Sequence, residues 1–129
     1  MKNVVDSSAW LEYFADGPNA EHYDGPLQDT ANLLVPTICV YEVFKTVMRQ
    51  RGEDAALQSA ALMKQGKEVE LTIELALEAA KISLEYKIPM EDSIILATAR
   101  AHAAIVWTQD QDFKDFGNVR YFPKKRKTH

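Results

Sequence analysis

"NVVDSSAW", residues 3–10, decides how this chain is read. Two valines deliver the backbone to an aspartate, Asp6, and two serines follow before the next apolar side chain. A short β-branched run is the mark of a buried strand. Ending such a strand in a carboxylate costs several kcal/mol unless something compensates the charge. Asp6 has an ordinary reading as the cap or Asx turn of a helix starting near Ser8. It has a second reading as a functional acid, because ligands of α/β sheets collect at the carboxyl ends of strands.

Outward from this stretch, short β-type runs alternate with longer helical patterns. Strands are predicted at 3–5, 33–35, 68–71, 104–107 and 119–122, and helices at 8–15, 19–29, 37–51, 53–64, 73–86 and 91–103, with a short turn near 111–116. Most connections are long enough to hold a crossover helix, which requires parallel strands covered on both faces. Pro36 and Pro89 stand at helix starts, the helical position proline tolerates best. The predicted fold is a three-layer α/β/α sandwich around a parallel sheet of about five strands. Residues 1–123 form one domain and 124–129 a basic tail.

The 129 residues, 47% of them hydrophobic, suffice for one globular core. No apolar run approaches the roughly 18 residues of a membrane span, and the N-terminus builds no signal peptide. Cys39 is the single cysteine, so it is expected to be a core thiol in a cytoplasmic protein. The net charge of −4 conceals an asymmetry: residues 1–123 hold 11 bases against 19 acids, and the tail "KKRKTH" holds the other four bases. An acidic body is a poor generic nucleic-acid binder. Contact with phosphates through cations held on carboxylates suits it better, while the tail reads equally as an RNA-backbone contact or a solvated terminus.

Four stretches carry acids in telling contexts. Asp110 follows the fourth strand; if that strand neighbours the first, Asp6 and Asp110 stand about 5 Å apart, and a divalent cation relieves their repulsion. Asp112 shares the turn, where aspartate is also favoured for conformational reasons. Asp92 lies in the first turn of "EDSIILATARAHAA", a helix apolar on nearly every side and therefore buried. Capping explains one acid there but not Glu91 beside it. On the wheel of the 37–51 helix, Val40, Phe44, Val47 and Met48 form the apolar face. Glu42 falls opposite, with Lys45 and Arg49, either as an exposed acid with basic neighbours or as the edge of a groove. No histidine has metal-ligand spacing, and zincin, redox, hydrolase-elbow and P-loop motifs are missing. "DSSAW" is not the D-x-D-x-T of dehalogenase-like phosphatases, and "VELTIELA" has no acceptor aspartate of a receiver domain.

Together, "VVDSSAW", "PTICVYEVFK", "IPMEDSIILATAR" and "IVWTQDQDF", in this order over nearly the whole chain, resemble a PIN domain of the VapC type, the toxin ribonucleases of toxin–antitoxin pairs. The resemblance implies a strand order of 3-2-1-4-5 and a catalytic quartet of Asp6, Glu42, Asp92 and Asp110. Asp112 also matches a family position, so the implied metal set is Asp6, Asp92, Asp110 and Asp112. Ser8 and Thr108 fall where the family often has a hydroxyl near the metal, and with Lys45 and Arg49 they make up the implied substrate-binding set. Carboxylate oxygens suit Mg²⁺ or Mn²⁺. The implied activity is metal-dependent hydrolysis of RNA phosphodiesters. The implied partners are RNA, a cognate antitoxin and a second copy of the chain, with no membrane. The alternative is a PIN-like module that binds RNA or protein without cleaving.

Overall fold

The computed structural model describes residues 1–125; the rest of the basic tail, 126–129, lies outside the described residues. Five strands, β1 (Asn3–Val5), β2 (Leu33–Pro36), β3 (Lys67–Val69), β4 (Ile105–Thr108) and β5 (Val119–Tyr121), form one sheet in the order 3-2-1-4-5. Every pairing is parallel, with Asn3 opposite both Leu33 and Ile105. The expected order and architecture are therefore what the chain adopts. Val4 and Val5 are wholly buried, as are all four residues of β2, because parallel strands in the middle of a sheet are covered on both faces. The edge strands β3 and β5 have three residues each and face solvent in part.

Six helices connect the strands: α1 (Ser7–Phe14), α2 (Asp24–Gln28), α3 (Thr37–Arg51), α4 (Glu53–Met63), α5 (Ile73–Tyr86) and α6 (Met90–Ala101). α3 packs on α4 and on α1, and α5 packs on α6. Right-handed crossovers place the links leaving β1 and β2 on one face, and the return from β3 to β4, through α5 and α6, on the other. Gly52 joins α3 to α4 at φ +90°, a conformation open to glycine at no steric cost. α6 is buried from Asp92 to Ala99, as its all-round apolar sequence requires.

Three local expectations are corrected. The 19–29 segment is a 3₁₀ turn, Ala20–Tyr23, followed by the five-residue α2. Gly25 and Pro26 keep it from continuing as one helix, since proline fits only a first turn. β3 ends at Val69 rather than at Leu71, because its partner β2 ends at Pro36 and leaves nothing to pair with beyond it. On α3 the buried line is Cys39, Val43 and Val47, while Met48 is 43% exposed. This rotation moves Glu42 from the expected outer stripe to the border of the core.

Candidate active site

The parallel sheet delivers the ends of β1 and β4 to the same edge, and α3 and α6 start there. Asp6, one residue past β1, is 2% exposed. Its Oδ1 accepts from the Ala9 amide at 3.0 Å and from Ser8 Oγ at 2.8 Å, so it does cap α1. Its Oδ2 accepts from Thr108 Oγ1 at 2.7 Å, a bond across the sheet that capping does not need. Burial lifts its pKa to about 6, against the pull of Thr108, Ala9 and Ser8 and with a further push from Asp110.

Thr108, the last residue of β4, is wholly buried and handles two acids with one oxygen. Its Oγ1 donates to Asp6 and accepts from the Asp110 amide at 2.8 Å. Asp110 Oδ1 in turn accepts from the Asp112 amide at 2.9 Å and opens the 3₁₀ turn Gln111–Phe113. The conformational reading of these turn aspartates thus holds as well. It does not account for what faces them. Asp92, 3% exposed in the first turn of α6, sends a carboxylate oxygen to within 4.8 Å of oxygens of both Asp110 and Asp112. Burial first, then the charges of its neighbours, raises its pKa to about 8 even at a helix N-terminus, where an anion is normally favoured.

Glu42 joins from α3. It is half-buried, and its Oε1 accepts from Ser7 Oγ at 2.6 Å. Burial raises its pKa and the Ser7 hydroxyl opposes the rise. Glu42, Lys45 and Arg49 line one cleft of about 280 Å³, closed by Met90 and Glu91 of α6. Lys45 and Arg49 are exposed, with the Lys45 ammonium 5.6 Å from the Tyr41 ring centroid. A second cleft, about 500 Å³, runs beside the acids between α1 and α3, from Ser8 and Gln109 to Arg51 and Lys124. Cys39 is the core thiol expected; it lies close enough to Asp6, Glu42 and Asp92 for their charges to raise its pKa further above its already desolvated value.

Asp92, Asp110 and Asp112 are thus brought together tightly, with Asp6 behind them through Thr108 and Glu42 to one side. Among the described residues the one ion pair is Lys81–Glu78 on α5, so no base balances these acids. An all-oxygen, uncompensated set fits a hard divalent cation. Sequence reasoning passed over Ser7, whose partner is 35 residues away, although the doubled serine after Asp6 was a signal. It also passed over Asn19 and Gln109, for which no local pattern exists.

The PIN domain model matches residues 4–119, and the chain belongs to that family. No curated protein matches the sequence. Solved structures with the same fold include a chain of a toxin–antitoxin complex from Klebsiella pneumoniae (TM-score 0.81, 18% identity, 95% of this chain and 100% of that one). VapC20 of Mycobacterium tuberculosis, described as a sarcin–ricin loop cleaving toxin, superposes with a TM-score of 0.79 at 20% identity, over 95% of this chain and 100% of that one. VapBC2 from Rickettsia felis, solved bound to a promoter DNA fragment, gives 0.73 at 12% identity, over 95% and 98%.

Proposed function

We propose that the protein is a metal-dependent endoribonuclease, the toxin of a toxin–antitoxin pair. The observation that carries this reading is the unbalanced acidic cluster at the strand ends, which would only weaken a fold that did not use it. Asp92, Asp110 and Asp112 would hold Mg²⁺ or Mn²⁺, with Asp6 fixing Thr108 and, through it, the Asp110 backbone. The ion would supply Lewis acidity and neutralise charge on the scissile phosphate. Glu42, oriented by Ser7 and with a raised pKa, is placed to orient and deprotonate the attacking water. Lys45 and Arg49, in the same cleft as Glu42, are suited to RNA phosphates. Lys124 lines clefts on both sides of Gln109, which supports a backbone contact for the start of the basic tail.

The toxin reading draws on structural neighbours taken from toxin–antitoxin complexes, and it includes a cognate antitoxin and a cytoplasmic site of action. None of the described helices is long and apolar enough to cross a membrane. A homodimer is supported by the outer face of α5, where Ile73, Leu77 and Leu84 recur at helical spacing and are 77%, 61% and 84% exposed. The deciding experiment is cleavage of single-stranded RNA by the purified protein with EDTA, Mg²⁺ or Mn²⁺, beside Asp6→Asn and Asp92→Asn. Cleavage restored by either ion and lost in both folded variants is expected. RNA binding without cleavage in any condition would leave a binding module instead, and full activity in EDTA would refute the proposal.

A further inference from the structure

Asn19 is wholly buried yet belongs to no regular element. It stands at the cap of the Ala20–Tyr23 turn, where asparagine ordinarily bonds the free amides, and makes no such bond. Its side chain turns inward instead. Nδ2 donates to Gln109 Oε1 at 3.2 Å and to the carbonyl of Pro123 at 2.9 Å, with that of Phe122 at 3.5 Å. The opposite amide orientation would set oxygen against these acceptors, so the direction is fixed. The backbone N–H of Asn19 is itself anchored, donating to Glu12 Oε2 at 2.8 Å.

The place of this amide in the sheet explains its use. The last bond between β4 and the segment after β5 is the Phe122 amide to the Thr108 carbonyl, 2.9 Å. Pro123 has no N–H to continue the ladder. Past Thr108 the backbone carries Asp110 to where its carboxylate oxygen lies within 4.8 Å of oxygens of Asp92 and Asp112. Bonds within the turn set its local shape, and buried Phe113 holds its far end. At the near end, Gln109 is tied to the rest of the protein through Asn19. Among the described residues Asn19 Oδ1 has no partner, which lowers stability, so stability alone does not account for an asparagine here.

We propose that Asn19 is a positioning residue. By clamping Gln109 to the chain leaving β5, it holds Asp110 against Asp92 in the geometry that takes the cation, an inference that rests on the nuclease reading for its chemistry but not for its geometry. The test compares Asn19→Ala, Gln109→Ala and the double variant. Amide exchange in the metal-free protein reads the restraint itself. Loss of the Asn19–Gln109 bond should speed exchange at Asp110 and Asp112 about tenfold in Asn19→Ala, with Val4 and Val5 unchanged. Mn²⁺ titration calorimetry, at a temperature where every variant is folded, should show affinity about tenfold weaker in each single variant and no further loss in the double, since both remove the Asn19–Gln109 bond. The RNA-cleavage kcat should fall with KM nearly constant.

Unchanged exchange at Asp110, or effects of the two single variants that add in full, would overturn the proposal. If the unmutated protein takes no Mn²⁺, the nuclease reading fails while the exchange data still decide the role of Asn19. If Asn19→Ala does not fold, Gln109→Ala reads the same bond from its other end.

Discussion

Replacing Asp92 by asparagine removes the middle of the acidic cluster while nearly conserving its shape. The folded protein holds a proton on Asp92 between pH 3.8 and about 8 that the unfolded chain has already released. More protons on the native state mean that stability falls as pH rises through this window: the deficit is absent below the lower value and complete above the upper one. Two carboxylates within 4.8 Å repel by about 3.5 kcal/mol at an effective dielectric constant near 20. Asp112 is exposed and Asp110 partly so, and screening brings the usable figure to about 2 kcal/mol. Asparagine forgoes the helix-dipole attraction for an anion, about 0.3–1 kcal/mol. Metal-free Asp92→Asn should therefore be more stable than the parent by about 1–2 kcal/mol near pH 8.5, and no more stable near pH 4. Urea denaturation in EDTA, followed by circular dichroism at both pH values, measures this. A variant less stable than the parent near pH 8.5, or a difference that does not change with pH, would refute the charge-repulsion reasoning.

Mn²⁺ at a hundredfold excess over its Kd should stabilise the parent by about 2.7 kcal/mol and leave Asp92→Asn unmoved, read as melting temperatures at pH 8. Ser7→Ala removes the hydroxyl that lowers the Glu42 pKa, so the acidic limb of the pH profile of kcat/KM should move to higher pH; an unmoved limb would take Glu42 out of the base role. Leu77→Glu with Leu84→Glu, both on the exposed face of α5, should change folding stability by no more than about 0.5 kcal/mol per site but convert a dimer to monomer in sedimentation runs. Arg49→Ala should weaken RNA binding and reduce the slope of log affinity against log salt by about 0.7, the value for one single-strand phosphate contact.

The architecture was legible because its signals are local. The valines of β1, all-apolar β2, prolines at the starts of α3 and α6, and long crossovers point to a parallel sheet without any knowledge of contacts. Asp6, Asp92 and Asp110 were legible for the same reason, each being an acid at the end of an apolar element. The setting of α3 was not. Ile38, Cys39, Val40, Val43, Phe44, Val47 and Met48 cover a wide arc, and the part that is buried depends on how the helix lies on α1 and α4. Glu42 could not be placed until that arc was fixed. Nor could the 19–29 segment, whose composition is helical but whose Gly25–Pro26 pair is not. Asn19 shows the limit most plainly: its partners are 90 to 104 residues away, and its neighbours in sequence signal only a cap.

The bond from Thr108 to Asp6 spans 102 positions of the chain. Asp6 therefore leaves the ribosome 102 residues ahead of the hydroxyl that completes its surroundings. β1 lies in the centre of the sheet, yet one of its two flanks stays open until β4 has been synthesised and docked. A chain that stops short of β4 lacks Thr108, Asp110 and Asp112 and cannot assemble the acids. The order of synthesis thus keeps the acidic cluster from forming until β1 has gained both of its neighbours.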